Sequence, residues 1–68
     1  MRTFHAILAQ LEIEGVSPIT DNVDIVYDGD NDFYYLQLYP GGMVSKDTYM
    51  TPAKAIKKFQ NNEVEWED

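Results

Sequence analysis

Residues 23–39, V-D-I-V-Y-D-G-D-N-D-F-Y-Y-L-Q-L-Y, read as a β-hairpin. Two runs rich in β-branched and aromatic residues flank a short polar break, the pattern of paired strands around a turn. Strand side chains alternate, so Val23, Ile25 and Tyr27 share one face of the first run. Tyr34, Leu36 and Leu38 share one face of the second. Phe33, Tyr35, Gln37 and Tyr39 occupy its other face. The break, Asp28-Gly29-Asp30-Asn31-Asp32, is built from the residues that turns prefer.

Working outward, Pro40-Gly41-Gly42 ends the second run, because proline lacks a donor and the glycines turn freely. Met43-Val44-Ser45 is long enough for a short third strand. Upstream, Val16 to Asn22 reads as a connection, since Pro18 biases Ser17 away from helix. Ile19 is expected to tuck under the sheet edge. Before it, Phe4, Ile7, Leu8 and Leu11 recur at helical spacing, with Thr3 as N-cap and Gly15 just past the end. The predicted helix covers 3–14. Glu12 and Glu14 sit unfavourably against its dipole.

Thr51-Pro52 marks a second helix start, an N-cap followed by proline at the first helical position. Ala55, Ile56 and Phe59 share one face, Lys54, Lys57 and Lys58 lie toward the others, and Asn61 or Asn62 supplies the left-handed cap. The tail, 63–68, is either a frayed acidic end or an edge strand with Val64 and Trp66 docked. The expectation is one α+β domain over 1–68. It is a small two-layer fold in which an N-terminal and a C-terminal helix cover one face of an antiparallel hairpin of two or three strands. Phe4, Ile7, Leu8, Leu11, Ile25, Leu36, Leu38, Ile56 and Phe59 are the expected core.

The 68 residues suffice for one small domain, and 44% apolar content supports a packed core. No cysteine is present, which excludes a disulfide and a thiolate zinc site. No apolar run approaches the roughly 20 residues of a membrane span, and no signal-like stretch follows Met1; a cytoplasmic setting is the default expectation. The net charge is −7. Between Thr3 and Ser45 there is no Lys or Arg, yet Glu12, Glu14, Asp21, Asp24, Asp28, Asp30 and Asp32 all fall there. Lysines gather at Lys46, Lys54, Lys57 and Lys58. Such a surface disfavours direct nucleic-acid binding, which needs cations against phosphates. It suits a basic partner, or serves solubility alone.

No motif names a reaction. Alternating Asp28, Asp30 and Asp32 look like the start of a calcium loop, but the glycine and glutamate that an EF-hand needs at its sixth and twelfth positions are Phe33 and Tyr39 here. His5 is the one histidine, without an acid one helical turn away. Gly41-Gly42 lacks the helix start and cation of a phosphate loop. The chain is therefore expected to be non-enzymatic, with no cofactor.

The aromatic residues carry more information. If the helices cover Tyr34, Leu36 and Leu38, then Phe33, Tyr35 and Tyr39 face solvent or a partner. Tyrosine is enriched at interface hot spots. The candidate partner-binding set is Asp24, Asp28, Asp30, Asp32, Phe33, Tyr35 and Tyr39, an aromatic centre with an aspartate rim. In size, acidity and lack of cysteine, the chain resembles the acidic DNA-mimicking inhibitors of phages and mobile elements, including anti-restriction and anti-CRISPR proteins. That resemblance is one of type, and it implies a protein partner with a basic, nucleic-acid-binding site. Two other readings stand beside it: a homodimeric assembly module using the aromatic face, and a divalent-metal binder at the turn.

Overall fold

The computed structural model describes residues 1–67. The elements run α1 (Phe4–Glu14), β1 (Val16–Thr20), β2 (Val23–Asp28), β3 (Phe33–Leu38) and α2 (Pro52–Gln60). The strands form one antiparallel sheet in the order β1-β2-β3. This is the expected α+β architecture.

Both helices begin and end for local reasons. Thr3 Oγ1 accepts the Ala6 N–H at 3.2 Å, which satisfies one of the donors left open at the start of α1. Gly15 stops that helix with φ +77°, its N–H bonded to the Leu11 carbonyl at 2.8 Å. Thr51 Oγ1 accepts the Lys54 N–H at 3.3 Å, and Pro52 opens α2. At the other end Asn62 takes the left-handed conformation, with φ +57°.

The hairpin register pairs Val23 with Leu38, Ile25 with Leu36 and Tyr27 with Tyr34, so these residues share one sheet face. Ile7 and Leu11 of α1 and Ala55 and Ile56 of α2 pack on that face in a single cluster with Ile19, Val23, Ile25, Leu36 and Tyr49. Leu38, Phe59, Val64 and Trp66 pad its margin. Phe4 departs from expectation. It lies on the same helical stripe as Ile7, but one turn earlier, and it is 41% exposed. Leu8 is only half-buried.

The third strand is not the one the sequence suggests. Val16–Thr20, read as a connection, forms β1, with Val16 opposite Val26 and Pro18 opposite Asp24. Pro18 is tolerated because β1 is an edge strand, where a missing N–H costs little. Arg2 anchors this edge: its backbone N–H bonds the Ile19 carbonyl at 3.1 Å, and Nη1 donates to Ser17 Oγ at 3.0 Å and Gln10 Oε1 at 2.6 Å. Met43–Ser45 makes only isolated bridges, Val44 with Gln37 and Ser45 with Trp66. The closing acidic stretch runs beside Val44–Lys46, with the Lys46 N–H on the Glu65 carbonyl at 2.9 Å and the Glu67 N–H on the Val44 carbonyl at 2.7 Å. Asp68, which completes that stretch, lies outside the described residues.

Candidate functional site

Both helices pack on one face of the sheet, and among the described residues neither covers the other face. Asp24, Val26 and Asp28 lie there opposite Gln37, Tyr35 and Phe33, and Val16 and Pro18 extend it across β1. Asp24, Asp28, Phe33 and Tyr35 are half-buried among these neighbours. The result is a surface with aromatic and aliphatic side chains between carboxylates.

The turn is held by its own aspartates. Asp28 Oδ1 accepts the backbone N–H groups of Asp30 at 3.0 Å and Asn31 at 3.3 Å, and Oδ2 accepts Asn31 Nδ2 at 3.0 Å. This is an Asx-type turn, in which a side chain replaces a backbone acceptor. The Asn31 side-chain bond, helped by the two backbone bonds, holds the Asp28 carboxyl below the usual 3.8, although desolvation opposes it. Asp32 sits at φ +57°, a conformation that aspartate tolerates, and its N–H bonds the Asp28 carbonyl at 2.8 Å. Tyr27 Oη donates to Asp32 Oδ1 at 2.8 Å. That bond, aided by desolvation and the nearby negative charge, raises the Tyr27 phenol above 10.0, so it stays protonated as a donor.

The sequence-predicted site is therefore divided. Asp24, Asp28, Phe33 and Tyr35 share the open face. Asp30 is exposed in the turn. Asp32 is engaged by Tyr27, whose strand position belongs to the helix-covered face. Tyr39 follows β3, 65% exposed, with its N–H on the Asn22 carbonyl at 2.8 Å. Asp28 and Asp32 thus have structural duties that alternation along the strands did not disclose.

Sequence reasoning also missed a groove on the helix side. Leu8, Leu11 and Glu12 of α1, Tyr27 and Tyr34 of the hairpin, and Pro52 of α2 line an open hollow of about 450 Å³. The rings of Tyr27 and Tyr34 lie 5.0 Å apart, tilted by 43°. The pairing of Tyr27 with Tyr34 next to the turn was readable, but not that both rings border a hollow lined by the two helices.

Among the described residues, one ion pair occurs, Lys58 Nζ to Glu63 Oε2 at 3.3 Å. No carboxylate of the hairpin has a cationic partner. Among the same residues, no three His, Asp or Glu side chains converge to hold a metal ion, so the metal-binding reading of the turn gains nothing from the geometry. No helix is long and apolar enough to cross a membrane. No protein-family model, curated protein or solved structure matches the chain.

Proposed function

We propose that this chain is a small non-enzymatic protein-binding module whose acidic hairpin engages a basic surface of another protein. In its sharper form it is an inhibitor of phage or mobile-element type, setting carboxylates where a nucleic acid would set phosphates. The observation that carries this reading is the unpaired state of the hairpin carboxylates. Asp28, Asp30 and Asp32 gather at the turn and Asp24 stands on β2 toward its other end, and among the described residues none of the four has a cationic partner. Like charges so placed repel, and a cluster of Arg or Lys relieves the repulsion while gaining charge-assisted hydrogen bonds. Phe33 and Tyr35 supply the apolar centre such an interface needs.

Asp24 and Asp30 are the residues to vary, because neither caps the turn. The test is retention of binding proteins on the immobilised chain, compared with its Asp24→Asn, Asp30→Asn double variant. Raising ionic strength from about 0.01 M to about 1 M shortens the screening length from about 30 Å to about 3 Å. A functional partner elutes on that rise and is retained less by the variant. Retention indifferent to both salt and variant contradicts the proposal. So does a chain that sediments as a tight dimer with Tyr35 occluded, which supports the homodimer reading instead.

A further inference from the structure

We infer that the groove between α1 and the hairpin receives an arginine side chain of the partner. This inference rests on the reading that the partner is basic, and adds the element it presents. Three independent features of the groove agree on a cation with an apolar stem. The walls are hydrocarbon, from Leu8, Leu11 and Pro52, and aromatic, from Tyr27 and Tyr34. Aromatic faces attract a guanidinium, and an aliphatic stem packs on leucine and proline. The charged groups at the groove are anionic: Glu12 lines it, and Asp32 accepts from the Tyr27 hydroxyl at 2.8 Å.

The third feature is the helix end. Leu11 and Glu12 belong to the last turn of α1, which contains no basic residue. The negative end of the helix dipole and the Glu12 carboxylate therefore meet at the groove with no basic side chain in that turn. On the far side α2 presents its positive end, but the Lys54 N–H there is already taken by Thr51 Oγ1. The α2 lysines Lys54, Lys57 and Lys58 line a separate hollow with Tyr49 and Asn61. Arg2 is committed to Gln10, Ser17 and Pro18. Among the described residues, no cation lines the groove. A purely aliphatic occupant would strip water from Glu12 and offer nothing in return. Arginine is favoured over lysine because its planar head stacks on a ring while still donating to a carboxylate.

The experiment titrates the labelled full chain with a synthetic Arg-Gly repeat peptide, followed by NMR. The same titration is made with Lys-Gly and citrulline-Gly peptides. The expected result is that shifts concentrate at Leu8, Leu11, Glu12, Tyr27 and Tyr34, that citrulline weakens binding roughly tenfold or more, and that lysine is intermediate. Glu12→Gln, an exposed change safe for the fold, weakens the arginine peptide several-fold. Tyr27→Phe keeps the ring and retains binding, whereas Tyr35→Ala on the open face has no effect. Equal binding of the citrulline peptide, or no binding of the arginine peptide, overturns the inference. Shifts centred on Val26, Phe33 and Tyr35 overturn it too, while leaving the basic-partner reading intact. That reading stands or falls on the salt-dependent retention assay, which does not involve the groove.

Discussion

Single side chains in this chain carry structural work that their charge disguises. Asp28 organises the turn with three hydrogen bonds, which depress its carboxyl below 3.8 in the folded state. A depressed folded value means that its contribution is present above the unfolded pKa and is lost as pH falls through the folded one. Wild-type stability is therefore expected to fall below about pH 4 partly through this group. Asp28→Asn keeps an acceptor for the backbone N–H groups but does not titrate, so its acid limb is shallower in urea titrations across that range. Superimposable acid limbs contradict the role. Thr51 offers an uncharged counterpart at the start of α2. Thr51→Ala is expected to destabilise by about 1 kcal/mol through loss of the capping acceptor, with Thr51→Ser near neutral. Equal loss in both variants points to packing of the methyl group.

At the scale of elements, the buried face of the sheet was legible and its edge was not. Alternation assigned Ile25 and Leu36 correctly to the helix side, and both are fully buried. Caps at Thr3, Gly15 and Thr51 marked the helix ends because their chemistry is local. The strand β1 escaped notice because its inward residues are Ser17 and Ile19 and its centre is Pro18, a poor match to any strand pattern. What makes it a strand is tertiary: pairing with β2 and the Arg2 side chain that bonds Ser17. Tyr49 escaped for the same reason. It joins the core through a two-way backbone bridge to Tyr34, each bond 2.8 Å, that no local signal announces. Phe4 errs in the other direction, since periodicity gives the face of a helix but not where its partner layer stops. The contrast is measurable. Leu36→Ala is expected to cost about 2–5 kcal/mol, enough to threaten a domain with about 5 kcal/mol of stability, whereas Phe4→Ala costs a small fraction of that. Comparable shifts in the urea midpoint for the two variants contradict the assigned core.

Across the whole molecule, charge is segregated. The hairpin is acidic and, among the described residues, makes no ion pair, and the lysines stand on α2 and at Lys46. That division was plain from composition, as was the aromatic content of the hairpin. Which carboxylates are free was not, because Asp28 and Asp32 are withdrawn by contacts that depend on the turn geometry and on Tyr27. The proposed role thus leans on Asp24 and Asp30 for long-range attraction, and on the aromatic surfaces for persistence once contact is made. The most direct test is the association rate of the captured partner with the wild-type chain and with the Asp24→Asn, Asp30→Asn variant, measured by stopped flow across a range of salt. The account predicts a wild-type rate that falls steeply as salt rises, a slower variant with a flatter salt dependence, and similar dissociation rates for the two. Identical association rates at every salt concentration contradict it.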